Sequence, residues 1–192
     1  MSLQQVHLDR VPPQPWKNGG GSTRVLLTWP GEAAWALRVS VATIDRDGPF
    51  SPFPGVQRWF SVIDGEGVVL TLAGQRHLLA PGHAPFHFEG EAAPGCELVA
   101  GTTQDLNLMV NQAAGRGEMA RAVADGEWLH RAAWRACFAA DAATLQIDDT
   151  DVATLRPGTL IWSDHAQRQR WRLRFTDLLA ARAWWLAVEV RP

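Results

Sequence analysis

Short stretches of alternating apolar and polar residues dominate the chain, and turn-forming residues separate them. Residues 22–29 (STRVLLTW) and 34–44 (AWALRVSVATI) are rich in β-branched and aromatic side chains, with PGEA between them. Residues 56–74 follow the same pattern, with turns at DGEG and AG. Many short strands with frequent turns are typical of an all-β sandwich or barrel. Residues 116–124 (RGEMARAVA) instead favour a short connecting helix.

The second half of the chain repeats the pattern of the first half. Residues 70–88 and 145–164 each contain an apolar strand, a polar turn, more strand and then a Pro-Gly pair. This repetition predicts duplication into two halves, each an all-β sandwich or barrel. The first barrel is expected over 1–115, with the glycine-rich segment at its start. The second, degenerate barrel is expected over 116–192, and the two halves could share strands.

Three of the predicted strands carry polar residues on faces that are otherwise small or apolar. Alternation places Arg38 with Ser40, Arg58 among apolar residues, and Asn107 with Asp105. A guanidinium in apolar surroundings needs a partner, because a buried unpaired charge is costly. Asp105 could pair with one arginine. The other suits a carboxylate ligand, which the planar guanidinium can hold through two hydrogen bonds.

Three consecutive glycines lie within residues 15–24, PWKNGGGSTR. One alternative is a flexible connector. The other is a turn whose backbone N–H groups, together with the Asn18 amide, close one end of a pocket. The tryptophan, lysine and arginine around the glycines favour the second alternative. The spacing matches neither a Walker loop nor a dinucleotide-binding motif.

The histidines offer a weaker case for a metal site. His83 and His87 are four residues apart, but the prolines and glycine around them prevent a helix. A strand would place His87 and Glu89 on one face, which supplies two ligands and leaves a third uncertain. We therefore predict no metal and no cofactor, with His83, His87 and Glu89 as the alternative ligand set. No catalytic residue is predicted.

Composition narrows the classes of partner. Eighteen basic and twenty acidic side chains give a formal charge of −2, which argues against nucleic-acid binding. There is no apolar run near the ~20 residues that a membrane span needs, and residues 1–13 lack a signal pattern. Cys96 and Cys137 match no metal or redox spacing and indicate reduced thiols. We expect a cytoplasmic protein, and its ten tryptophans leave homodimer formation open.

Four motifs together resemble the HutD/Ves family over roughly residues 10–115: PWKNGGGSTR, WALRVSVATIDRDGPFSPFPGVQR, GEGVVLTL and TTQDLNLMV. The resemblance implies a bicupin, with two cupin-type β-barrels or jelly rolls in one chain. It also implies an accessory or regulatory factor in histidine utilisation that senses a small intermediate such as urocanate or formylglutamate. No well-defined catalytic activity comes with this family.

The cupin pattern can be compared with this sequence residue by residue. The usual first cupin motif places two histidines and a glutamate just before the DGEG-type turn. Residues 51–65 (SPFPGVQRWFSVIDG) contain no histidine, and Arg58 lies near the expected position of the glutamate. This departure favours anion binding over the alternative function, a metal-dependent cupin enzyme acting on a small organic acid.

The expected ligand is thus a small carboxylate held in the first barrel. Arg58 or Arg38 is expected to bind the carboxylate, and Trp16 and Phe88 to stack on a planar ligand. The remaining residues are expected to form the rim or add hydrogen bonds. The full predicted set is Trp16, Asn18, Gly19, Gly20, Gly21, Thr23, Arg24, Arg38, Ser40, Arg58, Phe88 and Asn107.

Overall fold

The computed structural model describes residues 3–166, 168–177 and 181–191. It is an all-β structure with two three-residue 3₁₀ turns, Leu8–Arg10 and Gly90–Ala92. Its strands are β1 (Gln4–His7), β2 (Gln14–Pro15), β3 (Gly21–Trp29), β4 (Leu37–Ile44), β5 (Gly48–Pro49), β6 (Val56–Asp64), β7 (Val68–Leu72), β8 (Gln75–Leu79), β9 (Phe86–Glu89), β10 (Gly95–Leu98), β11 (Thr103–Asn111), β12 (Gly115–Arg121), β13 (Glu127–Leu129), β14 (Trp134–Ala139), β15 (Ala143–Ile147), β16 (Thr150–Leu155), β17 (Thr159–Ser163), β18 (Arg170–Phe175) and β19 (Ala183–Val190).

The chain forms two compact units. The first unit is Val11–Gly115, and the second unit contains residues 3–10 together with residues 116–191. Strand β1 pairs with β17, with Gln4 opposite Trp162 and His7 opposite Thr159. The structure therefore groups residues 3–10 with the second half of the chain, whereas the predicted first barrel extended from residue 1.

The first unit consists of two antiparallel sheets. The larger has the strand order β2-β3-β4-β11-β6-β9, and the smaller has the order β5-β10-β7-β8. Apolar side chains from both sheets form the core of this unit, including Phe60 and Val62 from β6, Val68 and Leu70 from β7, and Cys96 from β10. Strand alternation places these side chains on one face of each sheet, which is why the sheets pack face to face.

The second unit repeats this topology. Its smaller sheet, β13-β18-β15-β16, matches the smaller sheet of the first unit strand for strand. In its larger sheet, β12-β19-β14-β17 matches β4-β11-β6-β9, and β1 is added beside β17. The repeated order agrees with the predicted duplication into two cupin-type jelly rolls, and the all-β prediction is confirmed. Tryptophans 171 and 185 belong to the core of this unit.

One predicted element is wrong. The stretch expected to be a connecting helix, residues 116–124, instead contributes strand β12 to the edge of the larger sheet beside β19. The N–H of Ala122 donates to the carbonyl of Ala183 at 2.9 Å, which continues the contact beyond the strand. Tertiary pairing thus overrides a local sequence that favours helix. None of the helices in the described part of the chain is long or apolar enough to cross a membrane.

Candidate functional site

The centre of the candidate site is a row of side chains that crosses three neighbouring strands of the first unit. Arg38 on β4 lies opposite Met109 on β11, which lies opposite Arg58 on β6. Two residues further along these strands, on the same face, Ser40 on β4 lies opposite Asn107 on β11. Because residues two apart on a strand share a face, the sheet brings both arginines to the same side as these polar residues.

This face borders a cavity of about 480 Å³. The cavity lies entirely within the first unit, between the larger sheet, the segment before β3 and the loop that follows β5. Its lining residues are Gln14, Pro15, Trp16, Lys17, Asn18, Thr23, Arg38, Ser40, Ala42, Pro49, Phe50, Ser51, Phe53, Arg58, Asp105, Asn107 and Met109.

The structure brings seven of the twelve predicted residues to the cavity: Trp16, Asn18, Thr23, Arg38, Ser40, Arg58 and Asn107. The other five do not line it: Gly19, Gly20, Gly21, Arg24 and Phe88. Arg24 donates from Nε to the carbonyl oxygen of Val11 at 3.0 Å. Phe88 is buried, and its ring lies against the guanidinium of Arg58 rather than in the cavity.

Arg58 has the least solvated guanidinium at the cavity, since only 7% of the residue is exposed. Its Cζ lies 5.3, 5.6 and 5.0 Å from the ring centroids of Phe50, Phe53 and Phe88. Aromatic ring faces attract a cation at such distances. Nη2 donates to Asn107 Oδ1 at 3.1 Å, while Nε and Nη1 have no hydrogen-bond partner. The rings stabilise the charge, and two buried nitrogens are left without a hydrogen-bond partner.

A short polar chain continues from Arg58 along β11. Asn107 accepts from Arg58 and donates through Nδ2 to Oδ1 of Asp105. Asp105 and Asn107 are 1% and 5% exposed. The second carboxyl oxygen of Asp105, Oδ2, has no partner, and neither does Nε of the half-buried Arg38. Buried donors and acceptors of this kind are rare in folded proteins and point to a missing partner.

Burial sets the protonation equilibria of this group. It lowers the pKa of Arg58 to about 10, with Asp105 acting in the opposite direction and Arg38 adding to the decrease. It raises the pKa of Asp105 to about 8, against the effects of Arg58 and of the Asn107 hydrogen bond. Burial also lowers the pKa of Arg38. Burial thus favours the neutral form of Asp105, while both arginines remain charged at neutral pH.

The triple glycine forms a tight turn beside the cavity. Gly19 has a φ of +68°, which disfavours other residues. A Cβ on Gly21 would lie 2.2 Å from the carbonyl oxygen of Thr43, so only glycine fits there. The N–H of Gly20 donates to Asn18 Oδ1 at 3.0 Å, and the N–H of Gly19 donates to Trp16 O at 3.0 Å. These two glycine N–H groups are therefore used within the turn, contrary to the prediction that the glycine backbone lines the pocket.

What this turn does place at the cavity is Trp16. The indole Nε1 donates to Thr23 Oγ1 at 2.7 Å, and the ring meets Phe50 edge to face with centroids 6.4 Å apart. The backbone N–H of Trp16 also donates to Gly21 O at 2.9 Å. One hydrogen bond and one aromatic contact thus fix the ring, a second hydrogen bond fixes the backbone, and Trp16 lines the cavity.

The sequence analysis missed the aromatic residues of the loop at 50–53. Phe50 is held by its N–H, which donates to Pro94 O at 3.0 Å, and Phe53 by a bond to Gly90 O at 2.8 Å. A Cβ on Gly90 would lie 2.6 Å from Phe53 O, so the close approach requires glycine. Two aromatic residues in a proline-rich loop that directly precedes the arginine strand were the available signal.

The alternative metal ligands are not brought together. His83 Nδ1 lies 3.2 Å from the carbonyl oxygen of Leu78, and the His87 ring packs on Trp59 with centroids 4.5 Å apart. Glu89 accepts a hydrogen bond from Gln112. Within the described ranges, no three His, Cys, Asp or Glu side chains are placed to hold one metal ion.

Comparisons with known proteins connect this site to a family. Over 110 residues the chain is 39% identical to an uncharacterised 21.2 kDa protein in the hutC 3′ region of Pseudomonas putida. That match covers 56% of this chain and 57% of the relative. Protein Ves of Cronobacter sakazakii is 34% identical over 112 residues, which are 57% of this chain and 61% of the relative. The matches thus span less than two thirds of either relative.

The structural likeness extends over the whole chain. HutD from Pseudomonas fluorescens SBW25, solved in a formate condition, superposes with a TM-score of 0.85 and 25% identity, covering 100% of both chains. The sequence profile of the HutD family matches residues 9–180, which include every residue of the cavity. The chain therefore belongs to the HutD family.

Proposed function

We propose that the cavity of the first unit binds a small organic carboxylate, and that the protein acts as an accessory or regulatory factor in histidine utilisation. Urocanate and formylglutamate are the proposed ligands. The observation that carries the proposal is Arg58, a buried guanidinium on the cavity wall whose Nε and Nη1 have no partner.

The physical argument concerns the cost of this buried cation. Removing a guanidinium from water is unfavourable unless hydrogen bonds and an opposite charge replace its hydration. Asn107 satisfies one nitrogen, and the three phenylalanine rings supply part of the electrostatic compensation. An anion in the cavity would supply the rest, since charge-assisted hydrogen bonds to arginine are among the strongest in proteins.

Other lining residues suit a planar organic acid. Arg38 and the exposed Lys17 add positive charge, while Ser40 and Thr23 add hydroxyl groups. The Trp16 ring provides an aromatic surface for a conjugated or planar group. A volume of about 480 Å³ falls within the range of cavities that hold small metabolites. These features together favour a metabolite-sized carboxylate.

The pathway assignment draws on the relatives. One lies in the hutC 3′ region of P. putida, and another is named HutD in P. fluorescens. Genes near one another in bacteria often serve one process, which supports a role beside histidine degradation. Urocanate, an imidazole acrylate, and formylglutamate are carboxylates of that process and match the charge of the cavity.

Thermal unfolding in the presence of single compounds tests the proposal. Urocanate, histidine, formylglutamate, glutamate and formate are compared at equal concentration and pH. A ligand present at about 100 times its Kd adds about 2.7 kcal/mol to the free energy of unfolding. For a chain of this length that corresponds to an increase in Tm of about 5–10 °C. If none of the five compounds changes Tm, the proposed ligands are wrong.

A matched pair of arginine variants locates the site. Arg58→Ala should abolish any ligand-induced shift, because it removes the buried cation. Arg76→Ala is the control, since Arg76 belongs to the same unit but forms an exposed ion pair with Glu97. The control should show the shift of the parent protein. An Arg58→Ala variant that responds like the parent would place the ligand elsewhere.

A further inference from the structure

Asp105 is an acidic residue in the wall of an otherwise cationic cavity. It is 1% exposed, and its Oδ2 has no hydrogen-bond partner. A buried carboxylate oxygen without a donor is unfavourable, because it has lost water and gained nothing. The contents of the cavity therefore decide which protonation state of Asp105 is stable.

The direction of the hydrogen-bond chain shows which oxygen can carry a proton. The guanidinium of Arg58 can only donate, so Asn107 must present Oδ1 to it. The Asn107 Nδ2 then faces Asp105 and donates to Oδ1 of that carboxyl group. Since Oδ1 is already an acceptor, a proton on Asp105 belongs on Oδ2, the oxygen without a partner.

Building on the function proposed above, we infer that Asp105 is protonated on Oδ2 in the complex and donates to a ligand oxygen, so that binding takes up one proton from solvent wherever the free Asp105 is ionised. The ligand class is an organic acid that is ionised at neutral pH, bound between a guanidinium and a neutral carboxylic acid. In alkaline solution, where the free Asp105 is ionised, the proton comes from solvent on binding and returns to it on release; no covalent bond of the ligand changes at any pH.

A bound anion acts in this direction, whereas Arg58 and the hydrogen bond from Asn107 oppose it. An anion beside Asp105 disfavours the ionised carboxyl and so adds to the effect of burial, which already raises its pKa to about 8. The charged groups around it are Arg58 on β6, Arg38 on β4 and Lys17 at the cavity wall. Cys96 on β10, in the smaller sheet, is also close to Asp105. Its thiol stays neutral because burial raises its pKa to about 12.

Calorimetric titration measures this coupling directly. Formylglutamate and formate serve as probes, because their carboxyl groups ionise near pH ~4 and nothing else in them titrates up to pH ~9.5. Titrations in buffers of different ionisation enthalpy give the number of protons taken up per ligand bound. We expect uptake close to zero near pH ~6.5 and approaching one near pH ~9, where the affinity falls up to about tenfold per pH unit.

Two variants separate the possible sources of the effect. Asp105→Asn should bind with an affinity that no longer depends on pH and without proton uptake. Glu97→Gln, an exposed carboxylate paired with Arg76 in the same unit, should retain the parent's uptake. If Asp105→Asn keeps the pH dependence, deprotonation of Arg58 causes it and the inference is wrong.

Two results on the parent protein itself are equally decisive. Binding of either probe without proton uptake near pH ~9 overturns the inference and leaves the proposed function standing. If neither probe binds at any pH in this range and urocanate also fails, the proposed function is wrong, and the proton coupling is wrong with it.

Discussion

Each unit contains one buried arginine that lies on aromatic rings, and the two occupy matching strands, Arg58 on β6 and Arg135 on β14. Arg135 is fully buried, and its Cζ lies 5.5 and 5.2 Å from the ring centroids of Trp128 and Trp171. Burial lowers its pKa to about 10, as it does for Arg58. The two units therefore share a guanidinium packed against aromatic side chains.

The neighbours of the two arginines differ. Asn107 lies two residues before Met109, the cross-strand partner of Arg58. Two residues before Ala187, the partner of Arg135, the second unit has Trp185 instead. Its ring stacks on Trp128 with centroids 4.9 Å apart and planes 5° from parallel. An amide in the first unit is thus replaced by an indole in the second.

The two units therefore surround the same kind of guanidinium with different side chains. In the second unit, Arg135 Nη1 donates to the carbonyl oxygen of Gln169 at 2.8 Å, and its Nε and Nη2 have no hydrogen-bond partner, as with two nitrogens of Arg58. In the first unit, Arg58 borders a cavity, and Asn107 connects it to Asp105. Trp185 is much larger than Asn107, and its ring packs on Trp128 instead of forming a polar connection.

The comparison is tested most strongly by truncating the second arginine. Arg135→Ala should lower the free energy of unfolding by about 3–5 kcal/mol, because it leaves a void among tryptophan rings. Arg135→Met should lose less than about 1.5 kcal/mol, since an apolar chain of similar length keeps the packing. Urea denaturation measures both variants. Equal losses would show that the charge, rather than the volume, stabilises this unit.

The next effect is expected from breaking the polar chain of the first unit. Asn107→Ala leaves Arg58 Nη2 and Asp105 Oδ1 without the partners they now have. Loss of a partner for a buried polar group costs about 1–3 kcal/mol, so we expect about 2 kcal/mol in urea denaturation. Ala187→Gly, at the second unit's sheet face, is a control for general sheet weakening. A loss below about 0.5 kcal/mol for Asn107→Ala would mean that water already satisfies the polar groups of Arg58 and Asp105.

The third test of the comparison is a pH dependence that belongs to the first unit. The pKa of Asp105 is about 8 in the folded protein, against about 3.9 in an unfolded chain. The folded state therefore binds the proton more tightly, so stability is highest below pH ~4 as far as this group is concerned. This contribution to the free energy of unfolding is lost progressively as the pH rises from ~4 to ~8, because Asp105 ionises at a lower pH in the unfolded chain than in the folded protein.

Asp105→Asn should remove this contribution. The variant should be more stable than the parent at pH ~9 by at least about 1.4 kcal/mol, the value of a single pKa unit. Chemical denaturation at pH ~5, ~7 and ~9 gives the difference at each pH. A constant difference between variant and parent would show that Asp105 keeps its ordinary pKa in the folded protein.

Alternation along the strands was enough to predict the polar face of the cavity. Arg38, Ser40, Arg58 and Asn107 share that face because residues two apart on a strand always do, and hydrogen-bonded neighbours align them. The repeated turns likewise predicted the second unit. These features depend on local periodicity, which sequence shows directly.

The parts that sequence could not predict depend on tertiary contacts. The requirement for glycine at position 21 comes from the carbonyl of Thr43, which lies on the neighbouring strand. Phe50 and Phe53 belong to a loop without periodicity, so nothing in the sequence directs their rings toward Arg58. Residues 116–121 form a strand because β19 offers an edge to pair with.

The pairing of β1 with β17 has a consequence for how the chain folds during synthesis. During synthesis, residues 4–7 leave the ribosome about 150 residues ahead of their partner strand. The contiguous stretch Val11–Gly115 can collapse as it emerges, whereas β1 stays unpaired until β17 has been synthesised. Assembly of the second unit is therefore a late event, because its larger sheet joins strands from both sides of the first unit in the sequence.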